Sequence, residues 1–416
     1  MGVGSGDRSL FRIKSYPAWF TVDTALLAGS ASHWLALSLV AFELSGSVTA
    51  AGWFQTVRGL VSGVTQIVGG TFIDRHDHRT LMLFQSGVCA LIWLTMAMLF
   101  MGGNLTFELF VALSLASSAI FGFLGGTTNA ALITVVGPER YAQAESVNQG
   151  RDAAVNTVGS SFGAALYDIA HAVPFLASAF FDGVAFVAAL ALRLSRQAKA
   201  EVSQEERNGF VQDMVLGFTW VFTSRTIVCG LVVMSLATFA MFGIHQTINL
   251  HLVESGIDAL EISYVNLTSG LATIIGSVVA NRLCDRVRAG RAIICCLALM
   301  ACSQLPVVVL GSYGAVLAGQ LLLGLPMPLL SALGMGLIFS KTAVDLQGRA
   351  RAAVMCVTML VTSGTGAVAG SLLPAVGFTA LVGALDVLFV CAALTACAVR
   401  RIRTLPTTGE WDSVEL

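Results

Sequence analysis

Lysine and arginine fall in every second gap between long apolar runs, and this alternation constrains the fold more than any other feature of the chain. Basic residues occur at Arg8, Arg12 and Lys14, at Arg75 and Arg79, at Arg140, from Arg193 to Arg225, from Arg282 to Arg291, from Lys341 to Arg351 and from Arg400 to Arg403. The intervening gaps, around Ser45, Gly103, His171, Gly256, Gly311 and Val376, hold no lysine or arginine. Cytoplasmic loops of membrane proteins retain the positive charge. The pattern therefore predicts many membrane spans with both termini in the cytoplasm. Arg58 and Arg151 break the alternation and become residues of interest.

The chain is 56% hydrophobic and 11% charged, with a mean hydropathy of +0.81, where a soluble domain carries about 25% charged residues. A helix needs roughly 20 apolar residues to cross the hydrocarbon core. The runs are continuous and not alternating, which excludes a β-barrel and leaves helices, whose backbone amides are satisfied internally. Twelve spans are predicted, at 18–43, 48–73, 80–102, 106–133, 146–169, 172–194, 226–252, 260–283, 290–311, 313–340, 352–375 and 377–399. A net charge of −1 provides no basic field for nucleic acid. The nine cysteines show no paired spacing of a zinc or redox site and read as small packing residues. The polar, basic N-terminus lacks a cleavable signal pattern, so the first span is expected to act as its own insertion signal.

Residues 1–194 are expected to form a six-helix bundle, 195–225 a cytoplasmic linker, 226–399 a second bundle and 400–416 a cytoplasmic tail. The linker turns amphipathic, with Phe210, Met214, Phe218 and Val221 opposite Gln212 and Asp213, and predicts a helix lying on the membrane face. The halves repeat. Asp74-Arg75 after the second span and Asp285-Arg286 after the eighth are 211 residues apart (285 − 74), and the same offset carries Arg140 onto Arg351. A parallel internal repeat of this kind places a substrate site near the bilayer midplane, between the halves.

The loop Gly70…Asp74-Arg75…Arg79 resembles the cytoplasmic signature of the major facilitator superfamily. The pieces Tyr16–Trp19, Phe42–Ser47, Arg58, Gln143–Asn148 leading to Arg151, Phe181–Phe186 and Gly348-Arg349 are similar to the branch of macrolide-efflux proteins and the enterobactin exporter. The resemblance implies an all-α membrane protein of twelve transmembrane helices, with spans one, two, five, seven, eight, ten and eleven lining the cavity or its gates. The chain departs from that branch at Ser32-His33-Trp34, where relatives often have Gly-Asp, and it lacks an arginine in the fourth span. Coupling schemes of those relatives therefore do not transfer directly.

The candidate residues follow from the cost of polarity in lipid. A charge at mid-depth costs at least about 2.5–3.5 kcal/mol, so Arg58 is expected to face the interior on a polar stripe with Gln55, Ser62, Thr65 and Gln66. Asp23, Ser30 and His33 are read as one face of the first span, and His33 is able to change charge near neutral pH. Asn148, Asp152, Asn156 and Ser160 line one face of the fifth span, with Arg151 adjacent. Asp182 in the sixth span reads as a helix-packing group. His245 and Asn249 in the seventh are expected substrate contacts. Pro326 and Pro328 should bend the tenth span. Asp74, Arg75, Arg79, Arg151, Asp285 and Arg286 are expected to lock the state closed to the cytoplasm, shifting a two-state population when broken. His76-Asp77-His78 reads as a solvated loop, and no metal or cofactor is expected.

These residues point to a secondary active transporter of a bacterial inner membrane: a monomeric, proton-coupled exporter (an antiporter) of a small amphipathic compound of drug or siderophore type. An importer of a siderophore or metal-siderophore complex is the alternative on the same architecture, and a non-transporting sensor or partner-binding protein the alternative of another class. No nucleophile–base constellation and no nucleotide-binding loop is present, so neither an enzyme nor direct ATP use is expected.

Overall fold

The computed structural model describes residues 10–73, 75–192, 219, 222, 225–284, 286–340, 347–407 and 410–411. Among them there is no strand. The predicted linker and its amphipathic helix fall almost wholly outside the described residues.

Helices α1 (Tyr16–Ser45), α2 (Val48–Ile73) and α3 (His78–Met101) come first. The fourth span is broken into α4 (Phe107–Leu124) and α5 (Thr127–Val136), followed by α6 (Pro138–Ile169) and α7 (Val173–Ala191). The second set begins with α8 (Arg225–Glu254) and α9 (Ala259–Leu283). The ninth span is α10 (Ala289–Ser303) with α11 (Leu305–Leu310), and the tenth is α12 (Tyr313–Gly324) with α13 (Met327–Ser340). The eleventh is α14 (Gln347–Ser363) with α15 (Thr365–Val376). Then come α16 (Phe378–Ala398) and the short α17 (Arg400–Arg403). Among the described residues, ten of the twelve predicted spans are long and apolar enough to cross a membrane. The other two, α2 and α6, have 26 and 32 residues and hold the two out-of-place arginines. Pro326 falls in the break of the tenth span, and Pro306 opens α11 next to the break of the ninth.

Local chemistry sets the helix ends. Asp77 caps α3 by accepting from the Thr80 amide at 2.9 Å, Thr106 caps α4 by accepting from Leu109 N at 3.4 Å, and Ser312 caps α12 by accepting from Ala315 N at 3.3 Å. Gly311 ends α11 in the left-handed region at φ 57°.

The chain divides into two compact units. One comprises Met1–Val40 with Val61–Glu205, the other Ala41–Leu60 with Glu206–Leu416. The first half of α2 thus packs with the second set of helices. In the first unit, Tyr16 and Trp19 are fully buried and stacked, and Trp19 donates its indole N–H to Thr128 O at 2.8 Å, tying α1 to α5. Arg79 donates to Ala189 O at 3.2 Å and Leu190 O at 2.7 Å, satisfying carbonyls at the end of α7.

Each unit holds the same glycine seam. In the first, a Cβ on Gly122 of α4 would strike Ser62 O of α2, and one on Gly69 of α2 would strike Phe123 O. In the second, a Cβ on Gly276 of α9 would strike Leu325 O, and one on Gly324 of α12 would lie 2.8 Å from Ser269 O and from Ala272 Cβ. Backbones approach this closely only where small residues allow it. The second span therefore meets the fourth as the eighth meets the tenth. The loops agree with the repeat: α2 and α9 begin 211 residues apart (259 − 48), as do α3 and α10 (289 − 78).

The residues after α16 fold back on the second unit. Ala289 N donates to Pro406 O at 3.1 Å, Gly290 N donates to Leu405 O at 3.3 Å, and Trp411 is buried against Gly336.

Candidate functional site

Arg151 of α6 is the centre of an ionic cluster that joins α6 to α1. Its guanidinium pairs with Asp23 of α1, donates to Asp152 at 2.6 and 2.9 Å, and donates to Thr24 Oγ1 at 3.2 Å. The Phe20 ring lies 5.0 Å below it. The Arg151 and Asp23 side chains are only 9% and 15% exposed, whereas Asp152 is 44% exposed. Two carboxylates thus share one guanidinium, one of them shielded and one exposed. The Arg151–Asp23 pair ties α6 to α1.

His33 takes no part in that cluster. It is 7% exposed, its Nδ1 lies 3.0 Å from Ser178 Oγ of α7, and its ring packs 3.9 Å from that of Trp93 of α3. Ser178 donates on to Gly29 O at 3.0 Å or Pro174 O at 2.8 Å. The reading of Asp23 and His33 as one face of the first span is corrected here. Ten residues at 3.6 per turn do not return to the same side, so Asp23 meets α6 while His33 meets α3 and α7. One turn on from Ser178, the buried Asp182 lies against Gly29, where a Cβ would come within 3.5 Å of its Oδ1.

Arg58 donates from Nη1 to Gln55 Oε1 at 3.0 Å and lies 5.9 Å from the Phe54 ring centroid. Its stretch of α2 packs within the second unit. There Thr56 Oγ1 accepts from Ala367 N at 2.7 Å, capping the first turn of α15, and Thr49 donates to Gly370 O at 2.8 Å. Asn156 is exposed on α6, one turn from Asp152. Of the expected locking residues, Arg79 caps α7 as described above, Arg75 and Arg286 are exposed, and Asp74 and Asp285 lie outside the described residues. His76 bonds back to Phe72 O at 2.8 Å, and no group of three metal-ligating side chains occurs among the described residues.

In the second unit, His245 of α8 lies between the side-chain amides of Asn266 on α9 and Gln320 on α12. Asn249, one turn further along α8, donates to His245 O at 3.0 Å. Asn266 and Gln320 escaped the sequence reading. Each is a single polar residue in an apolar run, without a periodic partner to mark it.

The family model described as Major Facilitator Superfamily matches residues 24–258, more than half of the chain. The chain belongs to the major facilitator superfamily. No curated protein matches it. Among solved structures, a point mutant of the nucleoside transporter NupG is similar with a TM-score of 0.70 and 10% identity, covering 92% of this chain and 98% of that one. NupG itself gives 0.69 at 10% identity, covering 94% and 99%. A bacterial homologue of the human lysosomal transporter Spinster, inward-facing and unoccupied, gives 0.66 at 13% identity, covering 96% and 98%. At these identities the likeness establishes the fold alone. The protein is a multi-pass member of the major facilitator superfamily with its transmembrane helices in the arrangement of that fold. Family membership makes it a transporter.

Proposed function

We propose that the protein is a proton-coupled secondary transporter that exports a small amphipathic organic compound, of drug or siderophore type, across a bacterial inner membrane by alternating access. One observation carries this reading: Arg151 on α6 holds the shielded Asp23 of α1 and the exposed Asp152 at once. A charge in a transmembrane helix is expensive and marks an ion or substrate pathway by default. Here the arrangement has one acid more than its cation can neutralise, which suits a proton acceptor. Protonation of Asp23 weakens its hold on Arg151 and lets α1 and α6 part, and deprotonation restores the pair. Arg58, with Gln55, His245 and Asn249, is assigned to the substrate. Arg79, Arg75, Arg286, Asp74 and Asp285 are assigned to the cytoplasmic lock. The branch similarity of the sequence supports export and the amphipathic substrate class.

The test uses everted vesicles loaded with the protein, an imposed proton gradient, and radiolabelled erythromycin and enterobactin as probes. Gradient-driven accumulation is expected for wild type. Asp23→Asn should abolish accumulation while retaining gradient-independent exchange of the same probe. Accumulation by intact cells, or an Asp23→Asn variant that still concentrates the probe, overturns the reading.

A further inference from the structure

We infer that the chain after α17 is a reversible latch on the second unit, in which Leu405 and Pro406 grip α10 while Trp411 holds α13, the second part of the broken tenth span. The inference concerns control of movement. It goes beyond the export reading and does not depend on it.

The internal repeat shows what is unusual about this end of the second unit. Under the offset of 211 residues, Arg288 stands where the first half has Asp77 (288 − 77), and Gly290 where it has Arg79 (290 − 79). Asp77 caps α3 with its carboxylate, and Arg79 donates from its side chain to carbonyls at the end of α7. Arginine has no acceptor atom and glycine no side chain, so neither arrangement can recur. Arg288 provides no side-chain cap to α10. The first amides of a helix lack intrahelical partners, and here the returning chain supplies them. Ala289 N donates to Pro406 O at 3.1 Å and Gly290 N to Leu405 O at 3.3 Å. Gly290 also makes room, because a Cβ there would lie 2.2 Å from Ile402 O and 2.5 Å from Arg403 O. The second half has thus exchanged two side-chain caps for one main-chain strap.

The strap ends on a helix with a hinge. Pro326 lies between α12 and α13 and lacks the N–H that would carry the ladder across, so α12 does not hold α13 rigidly. Instead α13 is held from two sides. A Cβ on Gly334 would lie 2.8 Å from Met234 Sδ of α8, and one on Gly336 would lie 3.0 Å from the Trp411 ring. Two residues turn a helix by about 200°, so α8 and Trp411 meet nearly opposite faces of α13. Leu405 is 2% and Trp411 6% exposed, and burial of these side chains favours the docked state. The indole nitrogen opposes it: Trp411 Nε1 is buried without a hydrogen-bond partner. A buried donor left unsatisfied is penalised, and it regains water when the segment lifts off. Trp19, which ties α1 to α5, has its indole N–H satisfied by Thr128 O. Trp411 is held by its ring and penalised at its nitrogen, which makes its docking reversible. Docked, it steadies α13. Released, α13 loses one of its two supports and swings on the break at Pro326.

The test reads backbone hydrogen exchange by mass spectrometry on the full chain in lipid nanodiscs, with no cargo and no gradient. Trp411→Ala should speed exchange in α13 and at the Ala289 and Gly290 amides by about tenfold or more, with α12 unchanged. Gly290→Ala should speed α13 in the same way, although Gly290 lies on α10, because the added methyl forces the returning chain off. Trp411→Phe keeps a ring on Gly336 and removes the orphaned N–H, so its α13 should exchange at the wild-type rate or slower. Wild-type exchange of α13 in Trp411→Ala or in Gly290→Ala overturns the latch. So does equal acceleration of α12 and α13 in Trp411→Ala, the mark of ordinary packing, or a Trp411→Phe variant faster than wild type. Because no probe is transported, a failed export assay leaves this result standing, and a failed exchange result leaves the export reading standing.

Discussion

Arg151 can be probed with a double-mutant cycle, because its two acids differ in exposure. Removing the guanidinium leaves Asp23 shielded and unpaired, which costs about 3 kcal/mol when a buried pair loses one partner. Losing Asp152, whose side chain is 44% exposed, costs only about 0–1 kcal/mol, as for surface pairs. Arg151→Gln should therefore be markedly less stable than Asp152→Asn, and Arg151→Gln with Asp23→Asn should recover most of the loss, measured by denaturant unfolding in detergent. A second case lies outside the membrane. Burial works to raise the Asp77 carboxyl, but its hydrogen bonds from Thr80 and the neighbouring His78 and Arg79 outweigh it and hold the group below the usual aspartate range. A lowered folded value gives stability that is present above the unfolded pKa and lost as pH falls through the folded one. Asp77→Ala should cost about 1 kcal/mol at neutral pH, and the gap to wild type should close on acidification below the ordinary aspartate range. At this scale the sequence was half legible. Arg151 and Arg58 announced themselves because charge in an apolar run is costly. The pairing of Arg151 with Asp23 was hidden, because 128 residues separate the two. Asn266 and Gln320 were hidden because a neutral amide leaves no charge signature.

At the level of the helix, glycines decide how closely spans approach. A Cβ on Gly122 would strike Ser62 O and Thr65 Oγ1 of α2, whereas a Cβ on Gly70, at the far end of that helix, meets nothing within 4 Å. The same substitution should then have opposite effects. Gly122→Ala forces α4 off α2, and overpacking of this sort costs about 1–3 kcal/mol. Gly70→Ala should be neutral or stabilising by up to about 1 kcal/mol through helix propensity. Thermal unfolding of the two variants decides it, and equal behaviour would remove the seam from the account of the fold. Span positions were readable from apolar run length, which needs no tertiary information. The breaks were less so. Pro326 gave a local reason for a bend, because it removes an N–H and crowds the preceding turn. The breaks at Gly125-Gly126 and at Gly364 were not anticipated, since glycine inside a helical pattern is usually tolerated.

For the whole molecule, the telling feature is that α2 divides its packing. Residues from Ala41 to Leu60 belong with the second compact unit, although the run-and-gap pattern assigns the whole helix to the first bundle. Hydropathy fixes which residues enter lipid but not which neighbour they touch there, so this partition could not be read from the chain. Within that unit α2 lies along α14 and α15, with Gly52 against Gly366 and Gly370, and Gly59 against Ser363. A Cβ built on Gly59 lies 3.7 Å from Ser363 Cβ, within the roughly 3.5–4.5 Å that a disulfide spans without moving the backbone. Alternating access requires two conformations whose contacts differ. If this α2 contact is made in one and broken in the other, Gly59→Cys with Ser363→Cys should arrest the cycle. Oxidation should then abolish gradient-driven transport of a probe while leaving its binding intact, reductant should restore turnover, and each single cysteine variant should be insensitive to both. Full turnover with the cross-link proven by mass spectrometry would show that α2 stays on α14 throughout, and the moving surface would have to be sought elsewhere in the molecule.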